Sequence, residues 1–340
     1  MDGGMADRAR PAAEERPREA APGRGGSPVE VAPGIVAIDT RMAGRTLVTS
    51  AYLVRAREPV LVETGPSTSA EAVLQGLRDL GVGPGDLPHI AVTHIHLDHA
   101  GGAGTLARAF PGATVWVHER GAPHLADPTR LVASTARVYG EERMRALFGE
   151  VEPVPADRLR ALADGERLPV GGRALEVLHT PGHASHHLAL QDDATGSLFV
   201  GDALGVHLPD VRVLRPATPP PDFDLELAVA SVERIRSRAR GALLLSHFGP
   251  AEEVEALCEL AVRRLRAWAD EVRGALDRTE DLEEVVRLLE RRAAEDLRAD
   301  LGGPPDPGLD LERYDVLAPA HVNASGLVRY WRKRAQAQPS

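Results

Sequence analysis

A single cysteine, Cys258, occurs in 340 residues, so the chain can form no intramolecular disulfide and fits a reducing compartment. A metal bound by such a chain must be held by His, Asp and Glu. No uninterrupted apolar stretch of about 18 residues occurs, which argues against a membrane-spanning helix. The N-terminus lacks the apolar segment of a secretion signal, and the expected location is the cytoplasm. Lysine is nearly absent: Lys333 is the only one, and arginine carries almost all the positive charge. With abundant Ala, Gly and Pro, that usage suggests a GC-rich bacterial genome. The net charge of -10 weakens any reading that rests on wide electrostatic contact with nucleic acid, without excluding a local basic patch, and the expected partner is a small molecule.

What is present has the texture of a globular chain, with 43% hydrophobic and 26% charged residues, and length for one large domain or two ordinary ones. Residues 1–28 are Ala, Arg, Glu, Gly and Pro with almost no large apolar side chain, and are expected to form a disordered tail. From Val29 the texture changes. Short apolar runs at Ile35–Ile38, Leu47–Val54 and Val60–Val62 predict a meander of strands. Ala70–Leu80 has helical spacing, Ile90–Thr93 and Thr114–Val117 read as strands around a helix at Gly101–Phe110, and residues 128–149 look helical. Further strands are expected at Ala174–Leu178, Leu188–Leu190, Leu198–Val200 and Ala242–Leu245. A helix capped by Asp222 should run to Arg238. After Pro250 the pattern is helical: two amphipathic segments over 254–297, a turn at Gly302–Pro307, and a last helical region over Leu309–Arg334. This predicts an α/β domain over 29–250 and a helical region over 251–340, whose helices offer a surface for a homodimer.

The strongest chemical signal is Thr93-His94-Ile95-His96-Leu97-Asp98-His99-Ala100-Gly101-Gly102, directly after a predicted strand. In extended chain, residues i and i+2 point to one side, so His94 and His96 can share a cation, and a turn at Leu97 can bring Asp98 and His99 to an adjacent position. Imidazoles suit zinc and other first-row metals, and a carboxylate adds a harder ligand. Three weaker signals end other strands: His179-Thr180-Pro181-Gly182-His183, Gly201-Asp202 and Ser246-His247.

Together these four segments resemble the metallo-β-lactamase-fold superfamily, and look most similar to its glyoxalase-II-like branch. The resemblance covers about residues 34–250. It implies an αββα sandwich, here with a C-terminal helical extension, and a two-metal site at one edge. It assigns His94, His96 and His183 to the first metal, Asp98, His99 and His247 to the second, and Asp202 to both. The ions implied are two divalent metals, zinc first, with manganese or iron open. One departure stands out: the early strand-end motif usually carries Asp, whereas this chain has Glu63, which could orient a ligand histidine without being a ligand.

The implied reaction is hydrolysis of an ester, thioester or lactone by a hydroxide bridging two metals about 3.5–4 Å apart. Asp98 is the candidate proton shuttle. An iron-dependent persulfide dioxygenase, a nuclease of the RNase Z type and a non-catalytic member of the fold are the competing readings, since fold alone does not fix function. Around the site, Gly121–Gly140 reads as an insertion or lid, and the Pro-rich Val206–Pro221 should lie near the metals. His207 and Arg215 are candidate substrate contacts, though a surface ion pair is the plainer role for Arg215. His118 could face the pocket, and one of His186 and His187 could stand behind the ligands.

Overall fold

The computed structural model describes residues 26–208 and 210–337. Most of the expected tail lies outside the described residues, at 1–25. The first sheet joins β1 (Val29–Ala32), β2 (Ile35–Asp39), β3 (Ser50–Val54), β4 (Val60–Val62), β5 (His89–Ala91), β6 (Thr114–His118) and β7 (Leu159–Leu162) in that order. The second holds β8 (Arg167–Pro169), β9 (Ala174–His179), β10 (Leu188–Asp192) and β11 (Leu198–Gly201). A ribbon of β12 (Val206–His207) and β13 (Leu214–Arg215) follows, and β14 (Leu243–Leu245) and β15 (Gly249–Ala251) complete the second sheet, in the order β15-β14-β11-β10-β9-β8. The predicted meander is the antiparallel run β2-β3-β4, after which β4, β5, β6 and β7 are parallel.

The sandwich follows from side-chain alternation. Ile35 and Ala37, Tyr52 and Val54, and Val60 and Val62 face the second sheet, where Leu175, Val177, Leu188, Leu190, Phe199 and Leu244 meet them. The intervening Ile38, Leu53, Leu61 and Val115 face outward against α1 (Ala70–Asp79) and α3 (Ala103–Ala109), which follows the one-turn α2 (Leu97–Ala100). On the second sheet Leu178, Ala189, Leu198, Val200, Leu243 and Leu245 face outward. A strand buried on both faces needs apolar residues at every position, which is why these runs are short and nearly continuous.

The remaining helices are α4 (Ala122–Ala126), α5 (Thr129–Tyr139), α6 (Glu141–Phe148), α7 (Leu225–Arg238), α8 (Val254–Leu276), α9 (Leu282–Leu301), α10 (Glu312–Leu317) and α11 (Ala320–Ala337). The single helical stretch expected over 128–149 is broken at Gly140, whose φ of 80° only glycine adopts without strain. Asp222 does not cap α7. Asp224 does, accepting a bond from the Leu227 amide at 3.0 Å, because its own backbone is extended just before the first turn.

Leu257, Ala261, Leu265, Trp268 and Val272 line one face of α8 and, with α7, α9 and α11, pack on the outer face of the second sheet in one apolar cluster. The last helical region is divided: α10 leaves that layer and packs Tyr314 and Leu317 against Leu147 and Phe148 of α6 and Val206 and Val213 of the ribbon. Arg313 fastens it to Asp210 at 2.6 Å. No helix among the described residues is long and apolar enough to cross a membrane.

Candidate metal centre

The candidate residues leave the sheets at their carboxyl ends, where loops from parallel neighbouring strands converge. Glu63 follows β4, His94 follows β5 by three residues, Asp202 follows β11 and His247 follows β14. His96 precedes α2, which turns the chain so that Asp98 and His99 point back at the rim. The crossing is tight. Gly201 has a φ of 49°, and a Cβ there would stand 2.5 Å from His187 Nε2 and 2.6 Å from Thr93 Oγ1. Gly201→Ala should therefore lose about 1–3 kcal/mol of stability and disturb Asp202, read as a lowered Tm together with lowered metal content.

All seven predicted residues meet in two groups. In the first, His96 Nδ1 lies 3.0 Å from His94 Nε2 and 2.9 Å from His183 Nε2. In the second, His99 Nε2 and His247 Nε2 are each 3.5 Å from Asp98 Oδ2. Asp202 stands between: Oδ1 is 3.2 Å from His99 Nε2 and 3.1 Å from His247 Nε2, and Oδ2 is 3.5 Å from His183 Nε2. His94, His99 and Asp202 also group within 4.8 Å, so the two sets are contiguous.

Proton accounting shows what these clusters want. The Thr93 hydroxyl donates its only proton to Glu63 Oε1 at 2.5 Å, so it accepts from His94 Nδ1–H at 3.0 Å. His183 Nδ1–H donates to the Ala217 carbonyl at 3.0 Å. Both rings thereby turn an Nε2 lone pair toward His96. In the second group, His99 Nδ1–H donates to Glu63 at 3.2 Å and His247 Nδ1–H to Val48 O at 3.3 Å. Their Nε2 atoms and Asp202 Oδ1 are buried without a formed hydrogen bond. Imidazole nitrogens and carboxylate oxygens converging in a buried place need a cation between them, a proton or a metal ion, so the donor chemistry fits metal ions in both groups.

A family model described as the metallo-beta-lactamase superfamily matches residues 44–247. The chain belongs to that superfamily. This metallo-beta-lactamase-superfamily chain is 28% identical over 202 residues to the uncharacterized protein YobT of Bacillus subtilis (strain 168), covering 58% of this chain and 81% of that one. It is 33% identical over 135 residues to a hydroxyacylglutathione hydrolase of Aeromonas hydrophila, 40% of this chain and 39% of the hydrolase, so it spans about two fifths of that enzyme's length. A crystal structure of a metallo-beta-lactamase family protein from Thermus thermophilus superimposes with a TM-score of 0.63 over 90% of this chain and 95% of that one, at 22% identity, and shares the fold.

Electrostatics separates the two groups. Burial, reinforced by neighbouring imidazoles, drives His94 well below the ordinary histidine range. Burial also opposes charge on His99 and His247, yet the carboxylates outweigh it: Asp202, Asp98 and Glu63 hold His99 well above that range, and Asp202 and Asp98 raise His247 to about 9. The charged form of both rings is thereby favoured, and a metal taken up there competes with protons, so loading at pH 7 should release protons and binding should tighten as pH rises toward 9. Calorimetry in buffers of different ionisation heat reads this directly.

Glu63 is the hub behind the ligands. Its carboxylate is 1% exposed and also accepts from Ser246 Oγ at 2.9 Å and the Thr93 amide at 3.3 Å, tying the loops that carry His94, His99 and His247. His187 stands behind Asp202, accepting its amide at 3.1 Å while facing Thr180 Oγ1 at 2.8 Å. His118 does not face this centre; its ring lies 4.3 Å from that of His179 in a separate hollow with Ser185. Arg215 pairs with Asp315 at 3.6 Å and lies over the Tyr314 ring, outside the main cavity. His207 belongs to the ribbon, donating its amide to the His247 carbonyl at 3.1 Å, and is also outside that cavity.

A cavity of about 360 Å³ opens over the centre, with His96, Asp98, His183 and Asp202 on its floor. The expected lid forms one wall through Leu131, Ser134, Thr135 and Val138, spaced to share a face of α5. The Pro-rich segment contributes Pro219 and Pro220, and the C-terminal part contributes Leu317, Val322 and Asn323. Asn323 Oδ1 fixes that wall by accepting the Thr218 amide at 2.7 Å. The contribution of the C-terminal helices to the cavity had no signal in the sequence, because residues 317–323 carry no motif.

Proposed function

We propose that this protein is a dinuclear metal-dependent hydrolase acting on an ester, thioester or lactone of a small molecule. The observation that carries the reading is the position of Asp202, whose two carboxylate oxygens face different imidazole groups. His94, His96 and His183 would hold one ion, Asp98, His99 and His247 the other, and Asp202 both. Two divalent ions bound there would supply a water activated near neutral pH and would polarise the scissile carbonyl.

The chain's own residues do the rest. Glu63, Thr93 and the Ala217 and Val48 carbonyls fix ring orientation, which sharpens ligand geometry. The walls from α5, Pro219, Pro220 and Val322 present more apolar than polar surface and suit a small acyl substrate rather than a polymer. Asp98 lines the cavity floor, and although burial favours its acid form, His99 and His247 hold it ionised, so it would accept hydrogen bonds and hold a shuttled proton only in passing. The single cysteine supports a cytoplasmic setting.

Metal content by mass spectrometry, with a screen of esters, thioesters and lactones, tests the reading. About two zinc or manganese ions per chain and turnover of at least one class support it. A single iron with oxygen uptake on a persulfide would replace it with the oxidoreductase reading, and no metal under replete conditions would sink it.

A further inference from the structure

The cavity over the centre is not uniformly apolar. Arg130 and Arg137 of α5 line it, with Ser134 between them. Spacings of four and three residues put the three on one stripe of the helix, and two turns separate the arginines by about 10 Å along its axis. Both arginines are exposed, which places them at the mouth, above the floor formed by His96, Asp98, His183 and Asp202.

The chain is acidic, with a net charge of -10, so carboxylates for these cations are plentiful. Arg145 on the neighbouring α6 has one, Glu141 at 3.6 Å. Arg130 and Arg137 form no ion pair and no hydrogen bond among the described residues. Asp127, just before α5, acts on Arg130 only from a distance; its Oδ1 accepts instead from the Thr129 amide at 3.1 Å and the Thr129 hydroxyl at 2.6 Å. The carboxylates that share the cavity are engaged as well: Asp98 and Asp202 face the imidazoles of the centre, and Asp222 accepts from Ser185 Oγ at 2.6 Å. Two guanidinium groups thus border the cavity with no anion of the chain to meet them.

Resting on the hydrolase reading, we propose that Arg130 and Arg137 are specificity-determining residues, and that the substrate is a small acyl compound carrying an oxyanion group, carboxylate or phosphate, remote from its scissile carbonyl. A guanidinium fork matches either oxyanion through two parallel N–H bonds. Cations of one sign along a cleft with apolar walls also focus the field and draw an anion inward. The rim acts on binding and orientation and leaves the reacting atoms to the centre below.

The test uses the full, zinc-loaded chain and two double variants, Arg130→Gln with Arg137→Gln and Arg130→Lys with Arg137→Lys. Arg145→Gln with Arg287→Gln is the control, removing two charges outside the cavity. Calorimetry gives the Kd of hexanedioate, octanedioate and decanedioate, of phosphonoalkanoates of matching length, and of the monomethyl alkanedioates. Turnover is compared for mono-4-nitrophenyl octanedioate and its methyl ester. In the wild type at least one diacid should bind about tenfold more tightly than the monomethyl ester of the same length, a preference that shrinks as salt rises. The tighter of the two series names the oxyanion. The Gln pair should lose the preference, the Lys pair should keep part of it because charge remains without the fork, and the control should keep all of it. For the acid ester, the Gln pair should raise KM about tenfold with kcat within about twofold, and the methyl ester should not respond.

The proposal is overturned if no diacid binds more than about twofold better than its monoester, if the preference survives in the Gln pair, or if the control loses as much. Ester turnover with no preference for the acid form would reject the rim and leave the hydrolase reading standing. If the wild-type chain holds its metals but hydrolyses neither ester, the hydrolase reading fails, while the binding series still decides whether the rim takes an oxyanion.

Discussion

Asp202→Ala should leave a folded chain that neither holds its full metal complement nor turns over substrate. The carboxylate serves both donor groups at once, with Oδ1 at 3.1 Å from His247 Nε2 and Oδ2 at 3.5 Å from His183 Nε2. Its loss would remove the anion shared by the two proposed metal positions, so both sites should weaken together. A stabilisation of several kcal/mol at the reacting centre corresponds to a fall in kcat/KM of about 10³-fold or more. Mass-spectrometric metal content and turnover, with circular dichroism as the control for folding, check this. His96→Ala should instead deplete the first group preferentially. Equal occupancy in the Asp202→Ala and wild-type proteins would reject the bridging role.

Removing Glu63 should be the second large effect, and its two variants should fail differently. Glu63→Gln keeps the shape and can leave a carbonyl where Oε1 accepts from Thr93 Oγ1, Ser246 Oγ and His99 Nδ1, but it removes the negative charge and sets an NH2 against the Thr93 amide that donates to Oε2 at 3.3 Å. Weakening the orienting contact to His99 in this way should cost about 10–100-fold in metal affinity, in the group that contains His99. Glu63→Ala leaves all of those donors buried and unpaired, at about 1–3 kcal/mol each, so thermal unfolding should fall sharply and soluble yield with it. Competition with a chelator reads the first effect and a melting curve the second. A fully metal-loaded, wild-type-stable Glu63→Ala protein would contradict the arrangement.

Where the Glu63 side chain sits relative to the ligands explains why its role was only partly legible. The sequence placed it at a strand end and in a supporting position. That it reaches His99 through Nδ1, and also gathers Thr93 and Ser246, depends on neighbouring strands in two sheets: β4 beside β5 in the first, and β14 in the second. His186 and His187 show the same limit. As adjacent residues they have equal local signals, and only the turn between β9 and β10 sends one behind Asp202 and the other into the cavity.

Periodicity and motif fixed what is local or repetitive. The alternating and continuous apolar runs specified most strands of the sandwich, because a strand between two layers must be apolar on both faces. The dense His-x-His-x-Asp-His run and three strand-end signals pointed to seven side chains that the fold gathers into contiguous groups, because ligand chemistry restricts the usable side chains. The sequence alone did not determine the short edge strands β8 and β15, the break at Gly140, the capping by Asp224 rather than Asp222, or the cavity wall built from Leu317, Val322 and Asn323. Each depends on contacts between residues far apart in the chain, whose packing and hydrogen bonds form only once the two sheets and their outer helices have come together.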